Sequence, residues 1–144
     1  MKIRKAVKKD LKEIGMLMKR EFQKPPFNER DSINAVLKSL NFYFKTGHIY
    51  VAEKDRRIVG VVVFKTEQYW EGPVVIIEDL AVDDKFKKQG VGKGLMDYVE
   101  DYAKKKKCKS ISFSTHKKSD AVKFYKKKGY KPEKHTIIMR KGLK

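Results

Sequence analysis

A chain of 144 residues, 40% apolar and 11% aromatic, is long enough to bury a core and too short for a multidomain assembly, so one domain over residues 1–144 is expected. Its 36 lysines and arginines against 18 acids set the formal charge at +18, which makes polyanions expected partners. One cysteine and three histidines exclude an internal disulfide frame and a Cys/His zinc set, so no metal is expected. The longest apolar runs, 61–64 and 74–77, fall far short of a bilayer span, and the charged amino terminus shows no secretory leader. A cytoplasmic address without membrane attachment is expected. The charge is uneven: residues 81–144 carry 20 basic and 7 acidic side chains, whereas residues 51–80 carry 4 and 6.

Residues 1–7 alternate as a short strand. Asp10 then opens a helix with Glu13 three positions on, the spacing of a reciprocal capping box. Leu11, Ile14, Leu17, Met18 and Phe22 form its apolar stripe, and Pro25 and Pro26 stop it. Ile33, Val36, Leu37, Leu40 and Phe44 recur at helical steps in a second amphipathic segment that ends at Gly47. The period then changes. Residues 48–53 and 58–66, rich in β-branched and aromatic side chains around a turn at 54–57, read as an antiparallel hairpin. A strand over 74–82 is apolar on both sides, with Val74, Ile76, Leu80 and Val82 on one face and Val75, Ile77 and Ala81 on the other, as a central strand requires. A helix is expected from Val91, with Leu95, Tyr98, Val99, Tyr102 and Ala103 inward and lysines 104–107 at its negative end. Residues 111–115 read as a strand, 120–128 as a short helix closed by Gly129, and 136–140 as a last strand. The order βααβββαβαβ describes an α+β fold around one mostly antiparallel sheet, with helices on both faces.

The segment running from Leu80, Ala81 and Val82 through Lys87, Lys88, Gln89, Gly90, Val91, Gly92 and Lys93 combines a strand end, a charged turn, a glycine-bearing loop and a helix start. Gly90 and Gly92 remove side chains where a ligand would approach the main chain, and the amides of a helix amino terminus offer donors to an anion. Lys87, Lys88 and Lys93 add positive charge around the same spot, which suits a ligand carrying several phosphates. The spacing matches neither a P-loop nor the dinucleotide fingerprint.

This segment resembles the phosphate loop of the GNAT superfamily of acetyl-CoA-dependent N-acetyltransferases, Gln/Arg-x-x-Gly-x-Gly/Ala after a central strand, with Lys87 in the first position. Lysine keeps the charge there but loses a planar donor group. A second family element, Ala-x-x-x-Tyr-x-x-x-Gly-Phe/Tyr, is matched by Ala121, Tyr125, Gly129 and Tyr130, with Lys118 where the family usually carries Asn. The element order agrees over essentially the whole chain. The resemblance implies a central sheet splayed at the cofactor site, with acetyl-CoA in the gap between the strand holding Glu78 and the strand near 111–114. Pantetheine would pair with the strand edge at Leu80 to Val82, and the diphosphate would lie on the amides of Lys88 to Gly92.

Acetyl transfer to an amine needs a base for the ammonium proton and an acid for the departing thiolate, tasks a carboxylate and a phenol perform. Glu78 is the first choice of base and Asp79 the second. Strand neighbours face opposite sides, so only one of them reaches the acetyl carbonyl unless a bulge re-aims the other. The plainer reading of either acid is an ion pair with a lysine. Tyr125 matches the family's general acid, and a main-chain amide near Leu80 or Ala81 would polarise the carbonyl. Cys108 reads as a small buried hydrophobe rather than a nucleophile, His116 as a surface residue near the cleft, and Tyr69 and Trp70 as either an acceptor wall or a cap on the core.

The expected reaction, in a monomer or homodimer, is direct attack on acetyl-CoA within a ternary complex by a primary amine, either a protein or peptide amino terminus or lysine or a small amine. The net charge favours an acidic peptide, a protein amino terminus or a small neutral or anionic amine, although the acids Glu67, Glu71, Glu78 and Asp79 offer a local pocket for a cation. Loops 23–30 and 67–73 are the expected places of selection. The alternative is a basic nucleic-acid- or ribosome-associated module that keeps the fold.

Overall fold

In the computed structural model, which describes residues 1–144, one five-stranded sheet runs in chain order. Its strands are β1 (Lys2–Lys5), β2 (His48–Lys54), β3 (Arg57–Tyr69), β4 (Gly72–Val82) and β5 (Ile111–Ser112). Neighbours from β1 to β4 pair antiparallel, and β4 pairs with β5 parallel. With α1 (Leu11–Phe22), α2 (Ile33–Thr46) and α3 (Val91–Lys105), these strands form a first unit, Met1–Ser114; α4 (Ala121–Lys127) belongs to a second unit, Thr115–Lys144. No helix is long and apolar enough to cross a membrane.

The hairpin of β2 and β3 closes through Asp55 and Arg56, whose φ angles of 51° and 62° make the two-residue turn that matches strand twist. On one side of the sheet, Ile49, Val51, Val61, Val63 and Ala81 pack with Leu11, Ile14, Leu17 and Met18 of α1 and Leu40 of α2. On the other side α3 buries Val91, Leu95, Met96, Val99 and Ala103, and Phe64 and Tyr50 meet its Tyr102 and Tyr98 at ring separations of 5.1 and 4.3 Å. Gly60 of β3 is the point of closest approach. A β-carbon there would stand 2.6 Å from Cγ1 of Val91 and 3.0 Å from Cδ1 of Leu95, so only glycine lets the first turn of α3 settle onto the sheet.

The expected capping box at Asp10 and Glu13 does not form. Asp10 closes a 3₁₀ turn one step earlier, accepting the Val7 N–H at 2.8 Å, and Glu13 instead accepts the Ile58 N–H of β3 at 2.9 Å. The reason is tertiary: Arg4 donates to both Asp10 oxygens, at 2.8 and 3.1 Å, and to Glu53 at 2.7 Å, which holds Asp10 toward β1. Ser32 caps α2 through the Ala35 N–H.

The even alternation expected along 74–82 also fails. Val63 pairs with Asp79 but the next residue, Phe64, pairs with Ile77, so Glu78 is the extra residue of a β-bulge. Paired residues share a face, and the bulge therefore moves the parity by one. Ile76, Asp79 and Ala81 look toward α1 and α2, whereas Ile77 and Leu80, opposite Phe64 and Val62, look toward α3.

Strand β5 is shorter than the expected 111–115, pairing only Ile111 and Ser112 with Val75 and Ile76. The ladder stops two residues before the bulge, because a strand bent by an extra residue departs from its neighbour. Residues 136–140, expected as a last strand, carry no strand assignment. Alternation along Ile137 and Met139 supplies propensity, but a strand exists only where a ladder partner lies alongside. In the second unit α4 ends at Gly129 (φ 96°), and the Tyr130 N–H returns to the Tyr125 carbonyl at 3.1 Å, a helix stop that favours glycine.

Candidate active site

Strand β4 delivers the chain to the glycine loop through a 3₁₀ turn at Asp84–Phe86. Asp83 caps that turn, its carboxylate accepting the Lys85 N–H at 2.9 Å. Lys88 and Gly90 then adopt left-handed conformations, φ 63° and 84°, and Gly90 becomes the residue before α3. A β-carbon on Gly90 would meet nothing within 4 Å, so glycine serves the backbone angle there and leaves the space above it open. The first bond inside the helix runs from the Gly94 N–H to the Gly90 carbonyl at 2.9 Å. Helix geometry accordingly leaves the N–H groups of Val91, Gly92 and Lys93 without intrahelical acceptors, at the positive end of a fifteen-residue helix. This donor set fits a diphosphate.

The side chains around the loop are mostly engaged with protein. The ammonium of Lys87 lies 3.3 Å from Asp84 and 3.5 Å from Glu21, and Lys93 pairs with Asp97 at 2.8 Å along the helix. Gln89 joins Lys54 to the Lys85 carbonyl. The main chain, more than the lysines, is thus what the loop presents to an anion. Beside it, the β5 side of β4 has no ladder partner beyond Ile76, which leaves the edge at Leu80 to Val82 to a guest strand or an amide-bearing chain.

The bulge brings both candidate acids to the α1–α2 side of the sheet. Glu78 is half-buried and its carboxylate lies 3.2 Å from the Lys65 ammonium, which also approaches Glu67 at 3.3 Å. The plainer reading, an ion pair with lysine, thus describes Glu78. The same carboxylate, by hydrogen bond and by charge, adds to the burial that raises the Tyr43 phenol's pKa above its usual value. Asp79 has different neighbours. It forms part of the wall of a cavity of about 270 Å³ that is also lined by Met18, Lys19 and Phe22 of α1, by Ala35, Val36 and Ser39 of α2, and by Glu29 and Asp31 between them. Burial first, then the charges of Glu29 and Glu78, push its pKa up to about 7. Glu29 is raised as well, by desolvation and by Asp31.

Two residues expected at the site lie in the second unit. Tyr125, on α4, packs against Phe124 and Tyr130 at ring separations of 5.4 and 6.4 Å, and burial raises its phenol's pKa. The exposed Lys118 donates its N–H to Nδ1 of His116 at 3.1 Å. Tyr69 and Trp70 do not cap the core: Trp70 is fully exposed at the β3–β4 turn, and neither lines the cavity. Cys108 is half-buried after α3. The sequence reading did not single out Asp31, Lys65, Tyr43 or Glu21. Glu29 falls within the loop expected to select the acceptor, and the acids Glu21, Glu29 and Asp31 on either side of the Pro25–Pro26 helix stop were the available signal.

The acetyltransferase (GNAT) family profile matches residues 12–130. Among solved structures, a possible acetyltransferase from Clostridium difficile 630 is 14% identical, with a TM-score of 0.87 over 99% of this chain and 98% of its own. An aminoglycoside acetyltransferase from an uncultured soil metagenomic sample, solved in complex with sisomicin, is 25% identical, with a TM-score of 0.76 over 99% of this chain and 96% of its own. An aminoglycoside N-acetyltransferase solved in complex with CoA is 21% identical, with a TM-score of 0.81 over 99% and 95%. No curated protein sequence matches the chain. The profile spans well over half of the sequence and takes in both the glycine loop and the Tyr125 helix, and the chain therefore belongs to the acetyltransferase (GNAT) family.

Proposed function

We propose that the chain transfers an acetyl group from acetyl-CoA to the primary amine of a small cationic acceptor, with Asp79 as the general base. The observation that carries this reading is the bulge at Glu78, which places Asp79 in the wall of a half-open cavity whose charged lining is mainly acidic. The coenzyme supplies an activated thioester carbonyl, and the amides of residues 88–92 and the open edge of β4 are the groups suited to hold it. An ammonium entering the cavity loses its proton to Asp79, whose pKa near 7 keeps an appreciable fraction ionised at neutral pH and gives it a basicity close to optimal for proton transfer. Glu78, the extra residue of the bulge, is engaged by the Lys65 ammonium. The general acid for the departing sulfur is assigned to Tyr125 on its motif, and a raised pKa keeps that phenol protonated.

The acceptor class follows from local charge. Exposed charges more than about 8 Å away are largely screened at physiological salt, so the overall +18 governs long-range approach far more than binding inside a cavity. Within it, Glu29, Asp31 and Asp79 outnumber Lys19. The family likeness to aminoglycoside acetyltransferases supports an amine-bearing acceptor. The test is thiol release from acetyl-CoA with a matched panel of monoamines, diamines, aminoglycosides and acidic peptides. Turnover should be fastest with the small polycations. Preference for acidic peptides overturns the acceptor class, and absence of both turnover and CoA binding overturns the enzymatic reading.

A further inference from the structure

Glu21 lies on the last turn of α1 with 7% of its surface exposed, and no motif in the sequence points to it. One carboxylate oxygen, Oε2, accepts the Asp84 N–H at 3.1 Å and the Lys24 ammonium at 3.1 Å. The other, Oε1, is buried and accepts no hydrogen bond; its nearest cation is the Lys87 ammonium at 3.5 Å. The preceding residue, Arg20, reaches Asp83 at 3.3 Å. Two consecutive residues of α1 therefore grip two consecutive residues of the turn that leads from β4 into the glycine loop. A half-satisfied buried carboxylate is costly to keep, and its contacts converge on that turn.

We propose that Glu21 is a positioning residue for the coenzyme loop: through the Asp84 N–H and the Lys87 ammonium it fixes the turn at 83–87, so that the amides of residues 88–92 are preset for a diphosphate. This rests on the reading that the loop holds the coenzyme's diphosphate. The chain of contacts is short. The Lys87 N–H donates to the Asp84 carbonyl at 3.4 Å, so the orientation of Asp84 sets that of Lys87, and Lys87 leads directly into the left-handed Lys88. A preset loop avoids ordering its backbone at the moment of binding, and loss of the anchor transfers that cost to coenzyme affinity.

The experiment compares the intact wild-type chain with Glu21→Gln and Glu21→Ala, measuring CoA binding by calorimetry and steady-state kinetics with a responsive amine. Glutamine keeps an oxygen for the Asp84 N–H but loses the charge that holds Lys87, and the CoA dissociation constant should rise about threefold; alanine loses both and should raise it about tenfold or more. The kcat at saturating coenzyme and the KM for the amine should stay within about twofold of wild type. Variants that bind CoA like wild type, or that lose kcat at unchanged CoA affinity, overturn the proposal, and if the alanine variant does not fold the glutamine variant decides on affinity alone. Gly90→Val separates the two levels. If wild type binds no CoA, or Gly90→Val binds as well as wild type, the loop reading fails; if Gly90→Val loses binding while Glu21→Gln does not, only the positioning role fails.

Discussion

Asp10, buried, and Asp79, half-buried, both stand on the α1 side of the sheet, and their environments push them in opposite directions. Asp10 accepts two bonds from Arg4 and one from the Val7 N–H, and these hold its carboxyl below the usual range. Asp79 faces a cavity with Glu29 near it and Glu78 beside it, and is raised to about 7. The first arrangement stabilises an ionised group by spending it on structure; the second leaves a carboxylate basic enough to take a proton. A buried acid is thus read by its partners, since burial alone raises the pKa and only donors or cations reverse it.

Four substitutions or titrations bear on this contrast. Asp79→Asn should lower kcat/KM with a cationic amine by about 10²- to 10⁴-fold, the usual worth of a positioned general base, while leaving the folded yield intact. Activity loss below about tenfold would return the base to Glu78. Asp10→Ala should do the reverse, lowering stability by about 2–3 kcal/mol in urea denaturation through the orphaned Val7 N–H and the unpaired Arg4, with kcat/KM per folded molecule unchanged. Melting temperature against pH should separate the two acids by sign. The lowered pKa of Asp10 makes its stabilising contribution full above its unfolded value near 4 and lost as pH falls below it, whereas the raised pKa of Asp79 makes its contribution full below about 4 and lost as pH rises through about 7. Asp79→Asn should therefore raise the melting temperature relative to wild type at pH 8 and not at pH 4, and Asp10→Asn should lower it most near neutrality. The smallest effect is expected from Glu29→Gln. Removing that charge should move the ascending limb of the kcat/KM pH profile toward lower pH and raise the KM for a diamine a few-fold, and a limb that moves upward would mean Glu29 does not act on Asp79 by charge.

The glycine loop was legible before any coordinates because its requirements are local. Left-handed backbone at Gly90 and a helix starting at Val91 follow from residue type and spacing over a few positions. The two acids were legible as a pair, and the condition under which both would face the cleft, a bulge, was legible as a condition. Whether it held was not: a bulge is a property of register between two strands, and Glu78 becomes the extra residue only because Phe64 pairs with Ile77. For the same reason the periodic expectation for faces of β4 failed beyond the bulge, and a run of alternating residues near the carboxyl end formed no strand.

The sequence by itself determined the helices with strong apolar stripes, the first hairpin and the glycine loop, because each depends on periodicity or spacing carried by neighbouring residues, and its two motifs carried the family resemblance that the profile match bears out. Only the tertiary structure decided which carboxylate is engaged by Lys65, which is left basic beside Glu29, and which buried acid of α1 reaches the loop. These are contacts between residues tens of positions apart, such as Glu21 with Asp84 and Arg4 with Glu53, and the charge state of an acid depends on distances that no local pattern encodes.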